Sequence, residues 1–145
     1  MENYSKYDQL LQKQMIFGKV FGIFIVLILI VLVVMCIKNK LKSTAIITVI
    51  VGIGVLLILH FFVVSPYKQD IEENGYIEYT GDFYVEKAYS VNRGGEFILI
   101  KLGKDKTMRL KSLCNILAVE DDSNYSGTVV YSKCSKCLVD IVVLN

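Results

Sequence analysis

The chain has 145 residues, of which 54% are hydrophobic, and its mean hydropathy of +0.50 is too high for an ordinary water-soluble domain. The net charge of +2 is unevenly distributed. The chain has six lysines and two acidic residues before Pro66, but ten basic and twelve acidic residues from Pro66 onward. A near-neutral C-terminal part lacks the basic excess of a nucleic-acid-binding domain, so we expect no nucleic-acid partner.

The first segment, residues 1–15, has an amphipathic spacing. One helical face carries Tyr4, Tyr7, Leu11 and Met15, while Lys6 and other polar residues lie elsewhere. This pattern favours a short helix in the membrane interface, with tyrosines at the depth of the lipid head groups. A frayed tail that leads into the next helix is the alternative.

Two long apolar segments follow. Val20 to Ile37 carries no charge, and Ser43 to Tyr67 carries none if His60 is neutral. Each exceeds or approaches the roughly 20 residues that a helix needs to cross a bilayer. Residues 16–65 therefore predict a transmembrane helical hairpin with spans of about 16–37 and 44–65, and we expect Pro66 to end the second helix. No small-residue cleavage pattern follows the first span, so we interpret it as a retained anchor rather than a signal peptide.

Lysines near the ends of the spans predict the orientation. Lys38, Lys40 and Lys42 crowd the short turn between the spans, which favours a cytoplasmic turn by the positive-inside rule. We therefore expect a multi-pass protein of the cell membrane with an extracytoplasmic N-terminus and C-terminal domain. The total lysine count on the other side is similar, so the reverse orientation stays open.

Small residues and one histidine lie within the spans. Gly18 and Gly22, and also Gly52 and Gly54, are typical of close helix approach. We interpret them as packing the two spans against each other, with homo-oligomerisation through the hairpin as the alternative. His60 is interpreted as a neutral interfacial residue rather than a proton relay, since neither span offers a carboxylate partner.

Residues 66–145 predict a small all-β domain after a short charged linker. The period changes to two, with glycine-containing turns at 80–82, 92–95 and 103–106 and an acidic loop at 120–127, preceded by a short helical turn near 113–119. The predicted strands are Tyr76–Tyr79, Phe83–Val91, Glu96–Leu102, Thr107–Leu113, Thr128–Ser132 and Leu138–Leu144. Their number favours an antiparallel barrel-like domain of the OB or SH3-like kind, because closure removes exposed strand edges; an open meander is the alternative.

Alternation along two strands predicts the core. Ile98, Ile100 and Leu102 form a uniformly apolar face, whereas the opposite face of the same strand includes Lys101. On the last strand, Cys137 lies on the same side as Val139, Ile141 and Val143, which are all apolar, so we expect its thiol to be buried.

The cysteines are the only residues with a motif that could carry chemistry. Cys134 and Cys137 have C-x-x-C spacing, but the motif lies between strands rather than at the start of a helix. With Cys114 they could form a disulfide in an oxidising compartment, or remain reduced packing residues. Three cysteines without a nearby histidine do not make a zinc site, so we predict no metal and no cofactor.

We find no catalytic constellation and therefore expect a non-enzymatic, membrane-anchored β-domain that presents a binding module at the membrane surface. Its partners would be the lipid bilayer and a protein or cell-envelope component, in an accessory, sensing or immunity role. Tyrosine and arginine are enriched at binding hot spots, so the candidate binding residues are Tyr76, Tyr79, Tyr84, Tyr89 and Arg93. The alternatives are a membrane-tethered thiol-disulfide oxidoreductase that uses Cys134 and Cys137, or a subunit of a larger membrane complex.

Overall fold

The computed structural model describes residues 2–91, 95–104, 107–114 and 119–144. It has two long apolar helices followed by a five-stranded mixed sheet. The chain forms two compact units, one of residues Leu11–Gln69 and the other of the residues up to Leu10 together with those from Asp70 onward. The predicted layout of apolar helices followed by a β-domain is confirmed.

The helical unit is a hairpin. Helix α1 covers Glu2–Lys38 and helix α2 covers Lys42–Leu59. Lys40, with a φ of 59°, lies in the tight turn between them. The helical stretches Ser5–Lys38 and Lys42–Glu72 are long and apolar enough to cross a membrane. Most of their large apolar side chains are exposed.

Two glycines allow the helices of the hairpin to pack closely. A Cβ atom on Gly52 would lie 2.5 Å from Cδ1 of Leu29, and one on Gly18 would lie 3.0 Å from Cγ1 of Val63. Each glycine therefore accommodates a side chain of the opposite helix. At Gly54 an added Cβ meets nothing within 4 Å, so this residue is not part of the contact.

Pro66 does not end the second helical stretch, and this prediction was wrong. A π-helical turn, His60–Val64, follows α2 and leads into helix α3, Ser65–Glu72. Proline lacks the N–H that would continue an α-helical ladder, but the π-helical turn directly before it, in which the Ser65 amide donates to the His60 carbonyl, lets the helical stretch continue past Pro66. The predicted linker is thus mostly helical, and it ends in a turn where Asn74 has a φ of 49° and the Gly75 amide donates to the Asp70 carbonyl at 2.8 Å.

The five strands pair in a closed order, β1-β2-β3-β5-β4. They are β1 Tyr76–Val91, β2 Gly95–Leu102, β3 Met108–Ser112, β4 Ser123–Ser132 and β5 Cys137–Leu144. Strand β1 pairs with β4 along its first part and with β2 along its second part.

One pair corrects the prediction of a wholly antiparallel domain, because β3 and β5 run parallel, with Lys111 opposite Cys137. The reason is geometric. Five strands around a closed circuit cannot alternate in direction all the way round, so at least one neighbouring pair must be parallel.

The predicted turn at 80–82 is part of β1, and this prediction was also wrong. Gly81, with a φ of 151°, lies within the strand opposite Gly127 of β4. Glycine there lets a long strand bend from one partner to the next. The turn predicted after β2 is present at Gly103, which has a φ of 57°. Residues 92–94, 105–106 and 115–118 of the predicted turns lie outside the described residues. The acidic loop predicted at 120–127 is shorter than expected, because β4 already begins at Ser123.

The core fills the inside of the closed sheet. Ile98, Ile100 and Leu102 are at most 3% exposed, and Cys137 is fully buried, as the alternation predicts. Leu138 and Val139 are both buried, although alternation would turn one of them outward. The register between β4 and β5 shifts at Val130 and Tyr131, and this irregularity breaks the period-two pattern.

Candidate functional site

The outer surface of β1, β2 and β3 carries a cluster that we call the aromatic–basic face. Its position follows from alternation, since Ile98, Ile100 and Leu110 point into the core and their neighbours point outward. The pairing places Tyr89 opposite Phe97, and Leu99 lies between Lys87 and Arg109. The face consists of Lys87, Tyr89, Phe97, Leu99, Lys101, Arg109 and Lys111.

Two stacked rings and two cations form the centre of this face. The rings of Tyr89 and Phe97 lie 5.9 Å apart with an interplanar angle of 24°. The Arg109 guanidinium lies 4.4 Å from the Phe97 ring centre and 5.8 Å from that of Tyr89. The Lys87 ammonium lies 5.8 Å from the Tyr89 ring. Cations within about 6 Å of an aromatic ring are attracted to its face, so the rings hold the cations in place.

The charge of the face has one sign. Lys87, Lys101, Arg109 and Lys111 are cationic, and none of the seven residues of the face is acidic. Lys87, Lys101 and Arg109 are exposed, whereas Tyr89 and Phe97 are half-buried. A surface of this kind can stack against a planar or ring-shaped group while its cations pair with phosphate, sulfate or carboxylate groups.

Tyr84, another predicted binding residue, connects β1 to the acidic loop. Its hydroxyl donates to the Asp122 carboxylate at 2.9 Å, and this hydrogen bond raises the pKa of Tyr84. The neighbouring Asp121 carboxylate accepts from the Ala88 amide at 2.7 Å. These two acidic residues therefore hold the loop to β1.

Tyr76 makes its side-chain contacts within the β-containing unit. Its hydroxyl donates to the Asp8 carboxylate at 2.5 Å, and its ring centre lies 5.5 Å from that of Tyr7. Burial, together with this hydrogen bond to Asp8, holds the pKa of Tyr76 well above its usual range. Tyr7 is 5% exposed and donates to the Asp140 carboxylate at 3.1 Å. The first turns of α1 are thus packed on the sheet rather than presenting Tyr7 outward.

The remaining predicted tyrosine, Tyr79, does not extend the face. The Tyr79 hydroxyl donates to the Asp82 carbonyl at 2.8 Å, and its ring is partly buried against the core. Arg93 lies outside the described residues. Of the four predicted binding residues that the structure describes, only Tyr89 lies in the centre of the aromatic–basic face.

The three cysteines of the β-domain are free thiols in the structure. Cys134 lies in the turn between β4 and β5, where burial, followed by the Asp70 carboxylate, raises its pKa. Burial also raises the pKa of Cys114. A reactive cysteine needs the opposite shift, because the thiolate is the nucleophile. Within the described residues, no group of histidine, cysteine, aspartate and glutamate side chains is arranged to hold a metal ion.

A buried carboxylate that the sequence analysis missed organises this turn. Asp70 is fully buried, and its two oxygens accept hydrogen bonds from the amides of Cys134 at 2.8 Å and Ser135 at 2.7 Å. The Lys133 amide donates to the Gly75 carbonyl at 2.8 Å. The end of α3 and the C-x-x-C segment are therefore fastened together, which gives this segment a structural role.

Sequence reasoning also missed Phe97, Arg109 and Lys87. The signal was available, since the inward face of β2 was identified from alternation and Phe97 belongs to the opposite face. The missing information was which strands lie beside β2, because only that pairing gathers the three residues.

Comparison of the chain with models of protein families, with curated proteins and with solved structures finds no match. The function must therefore be inferred from the chemistry of the chain's own surfaces.

Proposed function

We propose that this chain is a non-enzymatic binding protein, anchored in the cell membrane by its helical hairpin. Its β-domain is an OB-like barrel on the extracytoplasmic side, and the aromatic–basic face binds an anionic polysaccharide or related glycopolymer of the cell envelope. The observation that carries the proposal is the stack of Tyr89 and Phe97 beneath the Arg109 guanidinium.

Membrane anchoring is supported by the exposed side chains of the hairpin. Phe17 is 73% exposed and Phe62 is 77% exposed, and many large aliphatic residues of both helices are exposed as well. In water such a surface would be far larger than the apolar patches that soluble monomers tolerate. In a bilayer the same side chains contact lipid tails, and the backbone of each helix is satisfied internally.

The OB-like assignment is supported by the closed order of five strands and by the long β1 that pairs with both β2 and β4. OB-folds bind oligonucleotides and oligosaccharides on the face around their second and third strands. The aromatic–basic face occupies the corresponding strands of this sheet.

The chemistry of the face favours an anionic polymer with ring-shaped units. Aromatic rings stack on flat groups, and the cations supply several charge contacts along an extended ligand. Single-stranded nucleic acid has the same general chemistry. The lysine-rich turn Lys38–Lys42 favours an orientation in which the β-domain lies outside the cytoplasm, where an envelope glycopolymer is the more accessible ligand.

The binding test uses the full chain in detergent micelles and measures the fluorescence anisotropy of labelled dextran sulfate, with uncharged dextran as the reference ligand. Replacing both Lys87 and Arg109 by glutamine should weaken dextran sulfate binding about tenfold, since two exposed charge contacts contribute roughly 0.7 kcal/mol each. The matched control replaces Lys133 and Lys136 of the β4–β5 turn by glutamine, which removes the same charge from another surface. Equal loss in both double variants would contradict the proposed face, and tighter binding of an oligothymidylate would change the ligand class to nucleic acid.

Sidedness is tested by thiol labelling in intact cells. In a Cys36→Ser, Cys134→Ser background, a membrane-impermeant maleimide should label Lys133→Cys but not Ser43→Cys, and lysed cells should allow both. The background protein without the added cysteine provides the blank. Labelling of Ser43→Cys alone from outside would show the reverse orientation and remove an envelope ligand from consideration.

The oxidoreductase alternative has little physical support, because the pKa of Cys134 is raised and Cys137 is fully buried. Homo-oligomerisation through the hairpin remains a separate proposal, for which Gly54 offers an uncovered small residue.

A further inference from the structure

An open groove lies between the helices of the hairpin, and Gly18 and Gly22 are among the residues that line it. It has a volume of about 580 Å³ and lies between α1 and the stretch from α2 to the start of α3. Its walls are apolar, with Ile23 and Leu27 on one helix and Leu56 and Leu59 on the other.

Three basic side chains contact this groove at one end of the hairpin. They are Lys19, His60 and Lys68, and none of the described residues that line the groove is acidic. This end is remote along both helices from the lysine turn at Lys38–Lys42.

A second groove between the same helices, of about 310 Å³ and lined by residues such as Val33 and Val49, has no charged lining residue. Basic residues therefore line only one of these two grooves.

From these contacts we infer that the groove is a binding site for one anionic phospholipid, whose acyl chain lies between the helices and whose phosphate meets Lys19, His60 and Lys68. The inference rests on the proposed insertion of the hairpin in a membrane, but not on the ligand of the aromatic–basic face.

The dimensions of the groove agree with this occupant. Gly18 and Leu27 mark its extent along α1, and nine residues of helix rise by about 14 Å. Half of a typical hydrocarbon core is about 15 Å thick, so the groove matches one acyl chain in one leaflet. Lys19 immediately precedes the uncharged run of α1, which is where a lipid head group meets the end of a span.

The charge pattern distinguishes this occupant from a zwitterionic lipid or a second copy of the chain. A phosphate without a compensating cation in its own head group gains from two lysines and a histidine, whereas a phosphatidylcholine head group brings a positive charge towards them. A second hairpin packed in this groove would have to bury Lys19 and Lys68 against apolar side chains.

The experiment uses the absence of tryptophan from the chain. Ile23→Trp places a single tryptophan in the groove. Phe24→Trp places the tryptophan at the next residue of α1, which does not line the groove. The native side chains are similarly exposed, at 63% for Ile23 and 59% for Phe24. Each full-length variant is reconstituted in vesicles that contain brominated phosphatidylglycerol or brominated phosphatidylcholine, and the quenching is measured as a function of lipid composition.

We expect brominated phosphatidylglycerol to quench Ile23→Trp with a relative affinity at least fivefold above that of phosphatidylcholine, which corresponds to the contribution of about one lysine at the membrane surface. Adding Lys19→Gln and Lys68→Gln should bring this ratio close to one, whereas Lys38→Gln with Lys42→Gln should leave it unchanged. Phe24→Trp should show a ratio near one in every background.

Three results would overturn the inference. Equal quenching by the two lipids at Ile23→Trp would show only ordinary lipid contact. Protection of Ile23→Trp from both lipids, while Phe24→Trp is quenched, would show that another helix occupies the groove. If neither tryptophan is quenched, the hairpin is not inserted, and the proposed membrane anchoring fails together with the lipid site. A failure of dextran sulfate binding alone would contradict only the proposed ligand of the aromatic–basic face and not the lipid site.

Discussion

Asp70 provides the sharpest test of how the β-containing unit is held together. Its fully buried carboxylate accepts hydrogen bonds from the amides of Cys134 and Ser135 at 2.8 and 2.7 Å. Replacing it by alanine removes both acceptors and leaves two amide donors at a partly buried turn. Each hydrogen bond to a charged group contributes about 1.5 kcal/mol or more, so we expect a loss of roughly 3 kcal/mol in the free energy of unfolding.

The more conservative Asp70→Asn variant isolates the acceptor chemistry. Asparagine keeps the size of the side chain but presents one oxygen and one NH₂ group, so only one of the two amides retains an acceptor and the other faces a donor. We expect a loss of about 2 kcal/mol, and the matched control is Asp82→Asn, which removes a carboxylate from an exposed position of β1.

Thermal unfolding of the full chain in detergent micelles, followed by circular dichroism in the strand region, measures the effect. For a unit of this size about 1 kcal/mol shifts Tm by roughly 4–8 °C, so Asp70→Asn should unfold at least about 8 °C below the parent. Asp82→Asn should unfold within about 2 °C of it, as surface substitutions usually do. Similar shifts for the two asparagine variants would refute the structural role assigned to Asp70.

Two further predictions concern the hairpin and the thiols. Gly52→Val should destabilise the hairpin, because a Cβ atom at this position would lie 2.5 Å from Leu29. At Gly54 the added side chain has open space. The thermal stability of the helical circular-dichroism signal in micelles should therefore fall for Gly52→Val but not for Gly54→Val. Cys134 should react slowly with iodoacetamide at neutral pH and faster as the pH rises through its raised pKa, because only the thiolate attacks. Fully buried Cys137 should be modified only after denaturation, and mass spectrometry of the alkylated chain distinguishes the two sites. Rapid modification of Cys134 at pH 7, or equal destabilisation by the two valine variants, would contradict these assignments.

The features that the sequence predicts well are those set by local composition. The apolar runs become the helices of the hairpin, and alternation along residues 96–102 identifies Ile98, Ile100 and Leu102 as core. Each of these patterns depends on residues close together in the chain, and hydrophobic periodicity reports them directly.

The features that it predicts poorly depend on an irregularity of the helix or on partners far away in the chain. Pro66 is a helix breaker by its own chemistry, but the π-helical turn directly before it lets the helical stretch continue. Gly81 is a turn residue by composition, but the pairing of β1 with both β4 and β2 makes it a bend within a strand. The sequence also gives no sign that Asp8, 68 residues away, accepts the hydrogen bond of the Tyr76 hydroxyl; a binding role of Tyr76 stays a prediction.

The tyrosines show what separates a structural residue from a candidate binding residue in this chain. Tyr76, Tyr79 and Tyr84 each donate to an oxygen of the same compact unit, so a ligand would have to compete with a hydrogen bond that already exists. Tyr89 instead contributes its ring to a stack with Phe97 that already carries Arg109. A ligand with a negative charge would therefore meet a cation whose freedom the rings already reduce, which lowers the side-chain entropy lost on association. This preorganisation, more than the number of tyrosines, is the reason to expect binding at the aromatic–basic face.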